Sequence, residues 1–250
     1  MVILPVLTLL FGVDMHYAIG ASLVSVIATS SGAAAAYVRE GWSNIRAGMF
    51  LEIATCLGAL AGAFLTAILP VRAIAVIFGV VLLWSAWSSA QSRKDRPVTE
   101  GPPDRTAAFL RMDGTYPAPD GPRRYRVRNV PGGFLVMLLA GALSGLLGIG
   151  SGALKVVAMD QIMRLPFKVS TATSNFMIGV TAAASAGVYL SRGYIDPGLA
   201  MPVMLGVLAG SLAGARLLAS SRTRVLRWVF GIVVVTLALE MLYAGVRGTL

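Results

Sequence analysis

Residues 145–160 read GLLGIGSGALKVVAMD, four glycines in an otherwise apolar run with two ionisable side chains just beyond. Gly145, Gly148, Gly150 and Gly152 make a continuous helix costly and let the backbone turn sharply. The spacing predicts two half-helices, about 134–147 and 153–163, meeting at the break. The second would open with unsatisfied N–H groups and a positive dipole end, and Lys155 adds a full charge one turn in. Exposed donors, a helix start and a cation together suit an anion. A second polar cluster follows at 168–175, KVSTATSN, where Ser170, Thr171, Thr173, Ser174 and Asn175 offer hydroxyl and amide donors without fixed charge. Such donors suit an oxyanion that must bind and then leave; the competing reading is interhelical hydrogen bonding, worth about 1 to 2 kcal/mol per contact or less. Asp160 and Glu52 are candidates to couple binding to a proton, and Glu240 is a weaker one nearer a segment end.

The elements that must position these groups are set by composition. The chain has 250 residues, 56% hydrophobic and only 13% charged, with a mean hydropathy of +0.77. These values lie outside the soluble range and imply an integral membrane protein. Apolar segments fall at 18–38, 45–69, 73–90, 132–148, 169–190, 197–218 and 225–246, each near the ~20 residues that cross a bilayer. Their Gly, Ala, Ser and Thr content predicts close helix packing. The net charge of +10 does not indicate nucleic acid: nine of the 21 basic residues lie in one polar loop and most others flank the segments. That distribution follows the positive-inside rule and places the loop in the cytoplasm.

An internal repeat organises the chain. Shifted by 152 positions, SLVSVIATSSGAAAAYVREGW from Ser22 aligns with SNFMIGVTAAASAGVYLSRGY from Ser174 without a gap. The register holds through GALAGA and GSLAGA at Gly58 and Gly210, and FG at Phe78 and Phe230. Ser22, with Ser25 one turn on, is what the first half keeps of the hydroxyl cluster. The expected fold is all-α and polytopic: two homologous four-helix repeats with broken or re-entrant helices, about eight membrane segments with the first incomplete. Residues 1–90 form the first repeat, 91–131 a linker and 132–250 the second repeat. The counterpart of the glycine break would fall upstream of residue 1, so the first half reads as the shorter. If 132–163 crossed once, Arg164, Lys168, Arg216, Arg222, Arg224 and Arg227 would face outward; if it enters and returns as a hairpin, the charge rule is obeyed and the halves are inverted copies.

The linker is too rich in proline and charge to cross a bilayer and reads as a solvated connector that sets topology, with RRYRVRNV alternating well enough for a short strand. Cys56 stands alone in the chain, which excludes an internal disulfide or thiolate cluster, and reads as a small buried apolar residue. His16, the sole histidine, sits at a segment boundary; no metal or other cofactor is expected.

The glycine break, LPFKVSTATSNFMIGVTAAAS, GYIDPGLAMPVMLGVLAGSLAGARLL and RYRVRNVP together resemble the TauE/SafE family of membrane permeases, the sulfite exporters. The resemblance spans essentially the whole chain and is most specific in the second half. It implies a multi-pass protein of a bacterial inner membrane that carries small sulfur-containing anions such as sulfite, sulfoacetate or related organosulfonates, and no enzyme. Added to the repeat, it favours alternating access with protons as coupling ion; a homo-oligomer is compatible with the sequence. A passive anion channel is the alternative the sequence does not separate. The four-residue spacing of Ser151 and Lys155 raises a third, an intramembrane Ser/Lys hydrolase, which the two-fold repeat disfavours.

Overall fold

The computed structural model describes residues 2–39, 41–90, 104–117, 121–220 and 223–247. It is helical except for one hairpin. A short α1, Ile3–Pro5, runs into a wider π turn, Val6–Leu10. Then come α2 (Met15–Arg39), α3 (Ile45–Leu65), α4 (Val71–Ala90) and α5 (Arg105–Phe109). Strands β1 (Gly114–Tyr116) and β2 (Arg123–Tyr125) pair antiparallel, Thr115 opposite Arg124, so the alternation in the linker does form a strand. The second half holds α6 (Val130–Leu147), α7 (Gly152–Val157) with a wider turn at Ala158–Ile162, α8 (Phe167–Ser191), α9 (Pro197–Ser220) and α10 (Thr223–Arg247).

The helices show their apolar side outward. Along α3, Ile45, Met49, Ile53, Leu57 and Phe64 form an exposed stripe, Leu57 at 56%, while Ala47, Leu51, Thr55, Ala59 and Gly62 face inward. In water such a stripe would be an aggregation surface; against hydrocarbon it is the required one. By length and composition, two helices among the described residues qualify as spans, Ile45–Leu65 and Val130–Leu147. α2 and α8 are 25 residues each, long enough to cross a bilayer.

Small residues set how the inner helices meet. Added Cβ atoms on Gly58 and Gly62 would collide with the carbonyls of Leu138 and Ala142, and on Gly141 and Gly145 with those of Thr55 and Ala59. α3 and α6 therefore touch backbone to backbone, the small-residue contact that membrane helices use. α4 packs on α10, α2 on α8 and α9, and α3 on α8 as well.

Linker residues join one of two hydrophobic clusters. Met112, Tyr125 and Val127 are buried with Leu51, Met137, Met163 and Met177. The sequence treats this region as a solvated connector; the structure instead seats its described part on the helix ends. Asn44 is the clasp: its Nδ2 donates to Met112 O at 2.7 Å and to the Tyr125 hydroxyl at 2.8 Å, while its Oδ1 accepts the Ala47 N–H and caps α3. Burial pushes the Tyr125 hydroxyl up to about 12. At Asp104 burial works against ionisation, but N–H groups of Val130, Thr106 and Ala107 outweigh it and hold its carboxyl below the ordinary range.

The glycine contacts give a direct test. Gly58→Leu should destabilise the protein in detergent by about 3 kcal/mol or more through overpacking, whereas Gly210→Leu, where an added Cβ meets nothing within 4 Å, should leave the melting temperature nearly unchanged. Equal losses for the two variants would show that the α3–α6 contact is not the close one.

Candidate functional site

The glycine run breaks the helix where the spacing predicts. Gly148 and Gly150 have φ of +65° and +72°, conformations glycine adopts freely, and between them and α7 Ser151 is also left-handed at +44°. The break is wedged between neighbours: an added Cβ on Gly148 would meet Ile19 of α2 at 2.8 Å, and on Gly150 Ile178 of α8 at 2.9 Å. Ser22 Oγ donates to Gly148 O at 2.9 Å, tying α2 to the turn. Tyr189 Oη donates to Gly145 O at 3.1 Å from the other side and meets Thr66 Oγ1 at 2.9 Å. The chain then doubles back, and Met163 lies beside the start of α6, its carbonyl accepting the Arg128 N–H at 3.0 Å.

Lys155 is fully buried on this returning segment. Its ammonium donates to Thr181 Oγ1 at 2.5 Å and to Met177 O at 3.3 Å. Thr181 in turn donates to Glu52 Oε1 at 2.7 Å. A lysine and a glutamate far apart in sequence, on α3 and the returning segment, thus share one hydroxyl of α8. Thr55 Oγ1 stands 3.4 Å from that hydroxyl, and Cys56 Sγ donates to Glu52 Oε1 at 3.4 Å. Glu52 Oε2, Ser144 Oγ and Ser151 Oγ are buried with no hydrogen-bond partner among the described residues. A buried carboxylate oxygen without a donor is costly; Ser43 Oγ and Arg128 Nε and Nη2, at the linker end, are likewise buried without a partner among the described residues.

The candidate residues divide between this centre and its surroundings. Gly148, Gly150, Gly152, Lys155, Ser22 and Glu52 gather around the break and the pair. Ser25 is buried but donates back to Ala21 O at 2.9 Å. Thr171 donates to Phe167 O and Ser174 to Thr171 O, both at 2.9 Å, within their own helix. Thr173 accepts the Asn44 N–H at 2.9 Å and so belongs to the clasp at the linker end. Asn175 is half-buried on the same turn. Asp160 lies half-buried in the wider turn and is engaged by other groups of the protein. His16 stacks on Tyr194 with ring centroids 4.9 Å apart and bonds Asp14. Thr181 was the residue that sequence reasoning missed. Its signal was present: the 152-residue shift pairs it with Thr29, a polar residue kept in both halves.

The arrangement holds a paired charge out of water. Lys155 has spent its contacts on Thr181 and Met177, not on Ser151, so the serine lacks the base that nucleophilic attack needs. Between α2 and α8 a cavity of roughly 420 Å³ is lined by Ser30, Ser31, Phe176 and Gly179, next to the turn that carries Thr181.

An outward apolar surface around a buried Lys–Glu pair at a broken helix is the arrangement of a helical membrane protein. The model of the sulfite exporter TauE/SafE family matches residues 1–241, and the chain belongs to that family. It is 25% identical over 234 residues to the probable membrane transporter protein YunE of Bacillus subtilis (strain 168), covering 94% of this chain and 83% of that protein. YdhB of the same strain, also a probable membrane transporter protein, is 25% identical over 215 residues, 86% of this chain and 79% of its own. A probable membrane transporter protein of Xylella fastidiosa (strain 9a5c) is 25% identical over 242 residues, 96% and 85% respectively. No solved structure matches. The family assignment makes this chain a transporter and not an enzyme.

The pair predicts a non-additive stability cycle. Lys155→Met should cost about 3 to 5 kcal/mol by leaving Glu52 buried and unmatched, and adding Glu52→Gln should recover most of the loss in thermal unfolding. Penalties that simply add would show the two side chains to be uncoupled.

Proposed function

We propose that this protein is a secondary transporter that moves small sulfur-containing anions, such as sulfite, sulfoacetate or related organosulfonates, across the bacterial inner membrane by alternating access coupled to protons. The observation that carries the reading is Lys155: a fully buried cation beside a helix break. An intramembrane charge of this kind marks a substrate or ion path. Glu52 is the proton-coupling group. Gly148, Gly150 and Gly152 shape the turn beside the substrate, Ser22 holds that turn, and the half-buried Thr171 and Asn175 stand on the approach from the linker end, backed by the buried Thr173 and Ser174.

The alternating-access part rests on the repeat. α2 and α8 begin and end 152 residues apart, at 15 and 39 against 167 and 191, and the two wide turns share the offset, 6–10 against 158–162. Contacts follow the same exchange: α3 packs on α8 as α2 packs on α9, and each of the pairs α2–α8 and α4–α10 joins a helix to its counterpart. Two halves built alike, one carrying Lys155 and the other Glu52, can rock about a site between them. The family name, sulfite exporter, supports transport of an anion, and the relatives' names support membrane transport. In this reading the linker lies in the cytoplasm.

Uptake of labelled sulfite and sulfoacetate into proteoliposomes tests the reading. Saturable uptake driven by an inward proton gradient, and lost in Lys155→Ala, is the expected result. Gradient-driven uptake unchanged in that variant would remove Lys155 from the path, and downhill flux that does not saturate would make the protein a channel.

A further inference from the structure

We propose that Glu52 is the resident counter-anion of Lys155, so that the site accepts a singly charged anion only when Glu52 takes up one proton, and anion and proton cross together without net charge. This inference rests on the transport reading above and specifies its stoichiometry and the charge of its substrate.

The argument starts from charge balance in a dry site. Lys155 and Glu52 are 0% and 6% exposed, linked through one hydroxyl, and neutral as a pair. Other groups facing Glu52 do not change that sum. Cys56 lies on its own helix and Thr181 and Thr55 carry no charge; α6, packed along α3, has no ionisable side chain from 130 to 147. An anion arriving beside Lys155 would leave one unmatched negative charge, at a cost of several kcal/mol in this environment. A proton on Glu52 removes it. The structure offers the place, since Glu52 Oε2 has no donor among the described residues and is the oxygen on which protonation relieves an unmet demand.

Thr181 is the element that makes the two events exclusive. Its single hydroxyl hydrogen faces Glu52 Oε1 at 2.7 Å or Met177 O at 2.9 Å, while its oxygen accepts from Lys155. With Glu52 ionised, the hydroxyl donates to it and relays its charge to the ammonium. When a proton from solution binds Oε2, the carboxyl becomes neutral, the hydroxyl turns to Met177 O, and Lys155 is left to an external anion. No covalent bond forms or breaks except the O–H made on Glu52 and lost again at release. A doubly charged anion would still leave one negative charge uncompensated, so the site sorts bisulfite and simple sulfonates above sulfoacetate.

Methanesulfonate, a monoanion at every working pH, is the probe, because any proton dependence then belongs to the protein. In proteoliposomes the wild type should accumulate it about tenfold per unit of pH gradient, with no response to a potential imposed by potassium and valinomycin. Glu52→Gln should become potential-driven and lose the response to the pH gradient, and Thr181→Val should weaken that response. Wild-type flux that follows the potential, or Glu52→Gln flux that still follows the pH gradient, overturns the proposal while leaving an anion transporter in place. Absence of saturable flux of methanesulfonate, sulfite and sulfoacetate alike from folded wild type would instead defeat the transport reading itself, and this inference with it. Should Glu52→Gln fail to fold, proton uptake by detergent-solubilised wild type on adding methanesulfonate decides: one proton per anion bound is expected, and none overturns the proposal.

Discussion

A lysine held out of water is the constraint around which the rest of this protein is arranged. Its charge is tolerable at that depth only with an opposite charge and hydrogen bonds close by. Glu52 supplies the charge, and Thr181 and Met177 supply the bonds. To bring three elements together around one ammonium, the helices must approach more closely than ordinary side chains allow. Glycines 58, 62, 141 and 145 seat α3, which carries Glu52, directly on α6, and the turn at 148–151 lets the segment bearing Lys155 fold back against α6 and α8. The exposed apolar stripe on α3 and the polar interior are two sides of the same design for lipid.

Conformational change has an evident seat in such an arrangement. The break is tied by single hydrogen bonds, from Ser22 to Gly148 and from Tyr189 to Gly145, and not by a ladder. Single bonds from different helices can be exchanged one at a time, which is what the proposed alternating access would require of this turn. At the linker end Asn44 joins α3, α8 and the hairpin through Thr173, Tyr125 and Met112. Movement of the helix ends is thereby linked to the folded part of the connector.

Much of this was legible in the sequence, for identifiable reasons. Glycine spacing placed the break, because no other residue adopts those φ values cheaply. A charge in an apolar run flagged Lys155 and Glu52 separately. Their meeting was not legible, since the contact is made through tertiary structure and neither residue has a charged counterpart at the 152-residue shift. Thr181, a lone threonine beside a run of alanines, carries less signal in the sequence than the dense hydroxyls at 170–175. On a helix a hydroxyl can satisfy itself on the carbonyl three or four residues back, as Thr171 and Ser174 do, so density alone says little about a ligand. The linker's strand was legible in the alternation of Tyr125 and Val127, but its seating on the helix ends was not, since that contact is made through tertiary structure.

The central claim is that the anion comes to Lys155 between α3 and α8. Anomalous diffraction from crystals soaked in selenite, the heavier analogue of sulfite, tests it most directly. The account predicts a selenium peak with an oxygen in hydrogen-bond reach of Lys155 Nζ, on the side where Glu52 now shares Thr181. A well-occupied peak among Thr171, Thr173, Ser174 and Asn175, with none beside Lys155, would contradict it.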